Sequence, residues 1–197
     1  MKAFWNERYA APEFAYGTQP NEFFREQLET LRPGALLLPC EGEGRNAVYA
    51  AAKGWTVTAF DQSETGRDKC LRLANEQDVA VDYRVADAGT FDYGENRYDA
   101  IALIFAHFPL HLRAFVHQQC MRALKAGGVL LLEAFTPAQL QYQSGGPREE
   151  QLLYTTDLLR DDFAAASQIT AEETFVTLQE GPFHQGTAAV VRLVARK

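Results

Sequence analysis

The 197-residue sequence has few cysteines and fewer basic than acidic residues. Its three cysteines, Cys40, Cys70 and Cys120, are far apart and match neither a zinc spacing nor a disulfide framework, which favours a reducing, cytoplasmic location. The formal net charge of -7 argues against nucleic acid or an anionic membrane as a partner. No segment has the apolar length of a signal peptide or membrane span, and none has a linker composition. We therefore expect a single domain over 1–197, present as a monomer or homodimer.

The most informative segment is 36–46, where an apolar run breaks into Gly42 and Gly44 before Ala-rich, helix-forming sequence. This pattern predicts a strand, a tight turn and a helix N-terminus, and glycine lets the turn backbone approach a ligand closely. About twenty residues on, the apolar run 55–61 ends in Asp61, where a nucleotide-binding βαβ unit places its ribose-hydroxyl acceptor. The spacing predicts an adenosine-bearing cofactor. The alternatives are a plain turn at the glycines and a helix cap at Asp61.

Strand and helix patterns alternate along the rest of the chain. The predicted elements are helix 64–76, strand 79–85, strand 98–105, a helix from Pro109 through Ala123, a turn at 125–128 and strand 129–135. The last two strands, 175–179 and 188–194, are joined by a segment too short for a helical crossover and should be antiparallel. The predicted fold is α/β, with a doubly wound, seven-stranded, mostly parallel sheet that ends in an antiparallel hairpin.

This order of pieces resembles the class I S-adenosylmethionine-dependent methyltransferases over nearly the whole chain. The matching features are the glycine turn, Asp61, Asp87 after the third strand and the segment 124–128 before the fifth. The segments 4–9, 16–17, 20–21 and 42–47 resemble the small bacterial tellurite-resistance and thiopurine-methyltransferase-like branch. The first turn departs from the family pattern, because Leu38 replaces the usual acidic residue and Cys40 the usual first glycine.

The resemblance implies S-adenosylmethionine as the cofactor and no bound metal. It implies that Asp61 accepts hydrogen bonds from both ribose hydroxyls, that Asp87 takes the adenine amino group and that Ala88 offers a backbone N–H to the ring. A solvated loop is the alternative role for Asp87. The predicted cofactor-binding residues are Cys40, Glu41, Gly42, Gly44, Asn46, Asp61, Gln62, Ser63, Asp87, Ala88 and Phe105.

The fourth predicted strand delivers His107 to the edge of the sheet where open α/β folds bind ligands. Methyl transfer is an in-line displacement, so the protein aligns donor and acceptor, excludes water and deprotonates the acceptor where needed. We predict His107 as the base, with hydrogen bonding to a neighbouring loop, or positioning of a thiolate, as its alternatives. The other histidines are predicted to be surface residues; they are His111, His117 and His184.

The segment 1–30 is predicted to be an N-terminal helical lid or cover, and a helix packed on the core is the favoured role for its residues Phe4 and Trp5. Within it, Tyr16 is the predicted catalytic contact, because an aromatic face attracts a sulfonium by cation-π interaction. The turn 143–148 is a possible second cover, with a plain connection as the alternative. Glu133 interrupts an apolar strand, so it needs either a partner or a pocket.

The predicted function is methyl transfer from S-adenosylmethionine to a small molecule. The resemblance to the tellurite and thiopurine branch suggests a thiol or a chalcogen oxyanion as the acceptor. One alternative is a nicotinamide-dependent oxidoreductase, which shares the glycine turn and Asp61 but should lack the terminal hairpin. Another is a non-catalytic cofactor-binding protein, which the altered first turn favours.

Overall fold

The computed structural model describes residues 2–197, and this part of the chain forms a seven-stranded sheet with helices on both faces. The strands are β1 (Ala35–Pro39), β2 (Thr56–Asp61), β3 (Asp82–Val85), β4 (Tyr98–Ile104), β5 (Leu124–Phe135), β6 (Gln168–Glu180) and β7 (His184–Arg196). The helices are α1 (Lys2–Arg8), α2 (Glu22–Glu29), α3 (Arg45–Ala52), α4 (Glu64–Glu76), α5 (Leu110–Ala123) and α6 (Thr156–Asp162). Two short 3-10 helices follow β5, at Pro137–Gln141 and Glu150–Leu152.

The sheet has the strand order β3-β2-β1-β4-β5-β7-β6. Strands β1 to β5 pair in parallel, while β7 pairs antiparallel with both β5 and β6. The predicted fold class is therefore confirmed, including the antiparallel C-terminal hairpin. Because the strand order reverses between β1 and β4, the carboxyl ends of these two strands flank the crevice where such sheets bind ligands.

Each face of the sheet has its own apolar core. Leu36 and Leu38 point into the core that includes residues of α2, α3 and α4, whereas Leu37 points into the core that includes residues of α5 and α6. All three leucines are fully buried, as expected for a central parallel strand covered on both faces. Three helices have N-caps whose side chains accept a backbone hydrogen bond: Asn21 for α2, Ser63 for α4 and Thr155 for α6.

The structure departs from the predicted elements at three places. Strand β3 begins at Asp82 rather than at residue 79, and both hairpin strands are longer than predicted. The predicted turn at 125–128 lies within β5 instead, where the pairing register shifts between Tyr98 and Ala100 of β4. Gly127 has a φ of 76°, so the extra residues are taken up as an irregularity within the strand.

Among residues 2–197, no helix combines the length and the apolar character needed to cross a membrane.

Candidate active site

The glycine turn links the end of β1 to the start of α3. Cys40, Gly42 and Gly44 all have positive φ, at 56°, 61° and 88°. A Cβ on Gly44 would overlap the side chain of Cys70, so this glycine lets α3 pack closely on α4. A Cβ on Gly42 would lie 2.6 Å from the hydroxyl of Tyr9, which covers the turn from the N-terminal segment.

Asp61 lies beside this turn at the end of β2 and is 6% exposed. Its Oδ2 accepts a hydrogen bond from the Gly42 N–H at 3.2 Å, and its Oδ1 accepts one from the Ser63 N–H at 2.8 Å. Burial raises the pKa of Asp61, while the hydrogen bonds from Ser63 and Gly42 oppose the rise. The N-cap of α4 is Ser63, whose Oγ accepts from the Gly66 N–H at 3.0 Å. The carboxylate of Asp61 therefore joins the strand end to the glycine turn.

The end of β3 places Asp87 and Ala88 next to the end of β2. Asp87 is exposed, and its Oδ2 accepts from the Gln62 side chain while its Oδ1 accepts from the Gly89 N–H at 2.7 Å. Ala88 is buried and its carbonyl accepts from the Tyr93 hydroxyl at 3.0 Å. The structure thus brings the predicted adenine-side residues Gln62, Asp87 and Ala88 to one edge of the sheet.

Glu41 and Asn46 serve the start of α3. The Oε1 of Glu41 accepts from the Ala47 N–H at 2.7 Å, and burial raises the pKa of Glu41 to about 7. The Oδ1 of Asn46 accepts from the Asn21 N–H at 2.9 Å, which ties the N-terminal segment to the helix. The two side chains therefore form hydrogen bonds that hold the first turn of α3 and attach the N-terminal segment to it.

On the other side of the switch point, four rings form what we call the aromatic cluster: Tyr16, Phe105, Phe135 and His184. The ring centroids are 4.4 Å apart for Tyr16 and His184, 4.8 Å for Phe105 and His184, and 4.6 Å for the stacked Phe105 and Phe135. Phe105 has a φ of 52°, a left-handed conformation at the end of β4. Phe105, predicted from sequence to touch the cofactor, and Tyr16, predicted to be catalytic, therefore both belong to this cluster.

His107 lies behind the cluster with both ring nitrogens engaged by backbone groups. Its Nε2 accepts from the Phe135 N–H at 3.3 Å, so the proton resides on Nδ1, which donates to the Leu152 carbonyl at 2.6 Å. Burial lowers the pKa of His107 to about 4. The ring is neutral and has no free nitrogen, an arrangement that favours the alternative role, that of a histidine bound to a neighbouring loop.

Two of the three histidines predicted to be surface residues are buried. His117 is fully buried in the α5 core, where its Nδ1 lies 2.8 Å from Asp162 Oδ2. His184 is 5% exposed, and its Nδ1 lies 3.1 Å from Glu180 Oε2. Only His111 is exposed as predicted. The prediction failed at His184 because the hairpin tip folds back onto the N-terminal segment, with the Phe183 N–H donating to the Ala15 carbonyl at 3.3 Å.

Glu133 has partners, which settles the question that its sequence position raised. Its Oε1 accepts from the Asn21 side chain at 2.7 Å, and its Oε2 accepts from Arg192 Nε at 2.6 Å. Asn21 also donates to Glu180 at 3.1 Å, and Glu180 pairs with Arg45 at 2.9 Å. These five side chains form a buried polar network that joins the N-terminal segment, α3, β5 and the hairpin.

The segment that contains the glycine turn, Asp61 and Asp87 matches a protein-family model. Residues 37–128, a little under half of the chain, match the model of the methyltransferase domain. The description of this model agrees with the predicted enzyme class, methyltransferase. A search of curated protein sequences finds no significant match.

Solved structures resemble this chain over all or nearly all of its length. The structure of a protein that converts a disulfide bond into a thioacetal group during echinomycin biosynthesis has a TM-score of 0.78 at 19% identity, covering 100% of this chain and 93% of that one. TehB from Haemophilus influenzae has a TM-score of 0.73 at 16% identity, covering 100% of this chain and 66% of its own. Phosphoethanolamine N-methyltransferase 2 from Haemonchus contortus, bound to phosphomonomethylethanolamine and S-adenosylhomocysteine, has a TM-score of 0.72 at 18% identity, covering 98% of this chain and 56% of its own. At these identities the likeness establishes the fold.

Proposed function

We propose that this methyltransferase transfers the methyl group of S-adenosylmethionine to a small molecule whose reacting atom is soft, such as the sulfur of a thiol or a chalcogen oxyanion. The observation that carries the proposal is the position of Tyr16. Its ring lies 6.4 Å from Tyr9, which covers Gly42, and 4.4 Å from His184 in the aromatic cluster. Tyr16 therefore lies between the aromatic cluster and Tyr9, the residue that covers the glycine turn.

The residues around the glycine turn suit an adenosine-bearing cofactor. Asp61 presents a carboxylate held by two backbone N–H groups, and its remaining lone pairs suit ribose hydroxyls. Gly42 has no side chain, so the turn backbone can be approached closely, and the Tyr9 hydroxyl lies in the space that a Cβ would take. When bound, S-adenosylmethionine supplies an electrophilic methyl group. The protein's own task is to align the acceptor and to keep water out.

The aromatic cluster favours a soft acceptor. Its ring centroids are 4.4 to 5.4 Å apart, which is the spacing of aromatic rings in direct contact, so an acceptor would pack against the cluster rather than between its rings. Polarisable sulfur packs well against aromatic faces. His107 has no free nitrogen with which to activate an alcohol. The disulfide-to-thioacetal chemistry of the similar echinomycin protein also supports sulfur as the reacting element.

The N-terminal segment is our proposed cover for the site. The Asn6 side chain accepts a hydrogen bond from the Ser63 hydroxyl at 2.7 Å, and Tyr9 lies over Gly42. We also place the protein in the cytoplasm, since Cys40, Cys70 and Cys120 are free thiols that a reducing compartment would preserve.

Calorimetric titration with S-adenosylmethionine, S-adenosylhomocysteine and NAD tests the cofactor site. We expect the first two to bind and Asp61→Ala to weaken their binding about 10- to 100-fold, because hydrogen bonds to a charged group are lost. The control is Asp68→Ala, which removes an exposed carboxylate on α4 and should leave binding unchanged. Binding of NAD in place of both sulfur ligands would overturn the proposal in favour of an oxidoreductase.

A panel of thiols, phenols, amines, selenite and tellurite then tests the acceptor class, with S-adenosylhomocysteine formation as the readout. Turnover of thiols or of the chalcogen oxyanions supports the proposed soft acceptor. Turnover confined to phenols or amines would contradict it while leaving methyl transfer intact.

A further inference from the structure

We infer that His184, oriented by Glu180, is the catalytic base that takes the proton from the methyl acceptor. This inference rests on the proposed function, and it concerns a pair of residues in the terminal hairpin, outside residues 37–128. Glu180 and His184 face each other as the last paired residues of β6 and β7, at the tip that meets the N-terminal segment.

The carboxylate of Glu180 determines which nitrogen of His184 is free. Glu180 Oε2 lies 3.1 Å from His184 Nδ1. Burial opposes ionisation of Glu180, but the hydrogen bond to His184 and the Arg45 guanidinium outweigh it and lower the pKa of Glu180 to about 2. An ionised carboxylate only accepts hydrogen bonds, so Nδ1 carries the proton and Nε2 keeps its lone pair.

The Nε2 atom of His184 is available to a ligand. It makes no hydrogen bond with any residue in 2–197, and it is not fully enclosed, unlike His117 Nε2, which is buried without a partner. Gly145 lies against the Cδ2–Nε2 edge of the ring, where a Cβ would be 2.5 Å from Cδ2 and 3.0 Å from Nε2, so a larger residue would crowd this nitrogen. The rings of Tyr16 and Phe105 pack against the same imidazole, with centroids 4.4 and 4.8 Å away.

The three interior histidines of residues 2–197 differ in whether a ring nitrogen is free to accept a proton. His107 has both nitrogens bonded to backbone groups, and His117 directs its second nitrogen into a closed core. His184 combines a carboxylate on one nitrogen with an open second nitrogen, which is how a base is oriented in acyl-transfer triads.

The surroundings keep His184 neutral and ready to accept a proton. The charged and titratable groups around its ring are Glu180 across the hairpin, Arg45 on α3, Arg8 on α1, Tyr16 in the N-terminal segment and His107 after β4. Burial lowers the pKa of His184, Glu180 opposes this and the two arginines add to it. The imidazolium formed after proton transfer is stabilised by the Glu180 carboxylate.

For a thiol acceptor, the proposed reaction transfers one proton to His184 and one methyl group to the thiol sulfur. The S–H proton passes to His184 Nε2, and the sulfur lone pair forms the new bond to the methyl carbon while the old carbon–sulfur bond breaks with its electron pair going to the departing sulfur. The proton then leaves His184 for solvent, which restores the neutral ring.

Two acceptors of different acidity test the inference. An alkyl thiol is mostly protonated at pH 7, whereas a nitro-substituted aromatic thiol is already a thiolate. We expect His184→Gln to lower kcat for the alkyl thiol roughly 100- to 10,000-fold and to leave kcat for the aromatic thiolate nearly unchanged. His111→Gln, at an exposed site on α5, is the matched control and should have no effect on either acceptor. Calorimetry should give S-adenosylmethionine affinities for the two variants that match the wild type.

Equal losses of kcat for both acceptors would mean that His184 has a structural role. No loss of kcat for either acceptor would mean that His184 takes no part in the chemistry. Both outcomes overturn the inference and leave the proposed function unchanged. A wild-type protein that methylates no acceptor would overturn both. The wild type gives a second test if the variant fails to fold. Its kcat for the alkyl thiol should fall as the pH drops below the pKa of the histidine base, because the protonated ring cannot accept a proton. The kcat for the aromatic thiolate should stay constant over the same pH range. Two parallel pH profiles would contradict the inference.

Discussion

The two sides of the candidate site, which we propose hold the methyl donor and the methyl acceptor and call the donor side and the acceptor side, are built from different kinds of contact. On the donor side, around β1 to β3, backbone groups and a short carboxylate meet over a small sequence distance, as when Asp61 accepts from Gly42, 19 residues away. On the acceptor side, around β4 to β7, rings and buried charges come from remote segments, and Asn21 reaches Glu133 across 112 residues. The comparison teaches that the first side depends on close backbone packing and the second on buried side-chain pairing.

The largest expected effect comes from breaking a buried charge pair on the acceptor side. Arg192→Met leaves Glu133, 1% exposed, without its ionic partner. We expect the free energy of unfolding at pH 7 to fall by about 3–5 kcal/mol, because an uncompensated charge stays buried. Chemical denaturation measures this loss. Lys125→Met is the control in β5, the strand that carries Glu133, since its pair with Asp99 is exposed and should contribute about 1 kcal/mol or less. Equal losses would erase the proposed difference between buried and exposed pairs.

A slightly smaller effect is expected from disturbing the backbone packing of the donor side. Gly44→Ala adds a Cβ that overlaps Cys70 at a position with positive φ, and we expect a loss of about 2–5 kcal/mol in unfolding free energy. Gly127→Ala separates the two causes, because φ there is also positive but nothing lies within 4 Å of the added Cβ. It should cost only about 1–2 kcal/mol. If thermal and denaturant unfolding gave the same loss at both glycines, close packing of α3 on α4 would not be the reason for Gly44.

The smallest effect is expected at His107, which lies on the acceptor side and has both ring nitrogens bonded to backbone groups. Because burial lowers the pKa of His107 to about 4, its stabilising contribution is complete above pH 6.5 and is lost as the pH falls towards 4. We expect this contribution to be about 1–3 kcal/mol. His107→Gln, whose amide can replace both hydrogen bonds, should flatten this part of the stability profile.

The same variant measures the role of His107 in turnover. We expect its kcat at pH 7 to stay within a few fold of the wild type, because both backbone contacts survive. A loss of roughly 100-fold or more in kcat, with unchanged stability, would return His107 to the role of base.

The donor side could be predicted in detail because its signals are local. Helix α4 begins and ends at the predicted residues, Glu64 and Glu76, and the strand ending in Asp61 is placed correctly. The antiparallel hairpin was predictable for a similar reason, since the length of the connection between its strands excludes a crossover. Each of these inferences needed only a short window of sequence.

The acceptor side escaped prediction because burial there depends on partners from elsewhere in the chain. His184 looks like a turn residue in sequence, yet the N-terminal segment covers it and Tyr16 packs on its ring. The spacing of Glu180 and His184 across a short connection was the one local signal that could have revealed the pair.

The sequence by itself determined the α/β sheet, its terminal hairpin and the turn that meets Asp61, because periodicity, glycine and strand-end carboxylates act over short distances. Only the tertiary structure decided that His107 is bonded on both sides, that Glu133 is paired with Arg192 and that His184 lies in the aromatic cluster. The physical reason is that hydrogen bonding and burial of a side chain are properties of its neighbours in space. For His184, those neighbours are brought together by the packing of the N-terminal segment against the hairpin.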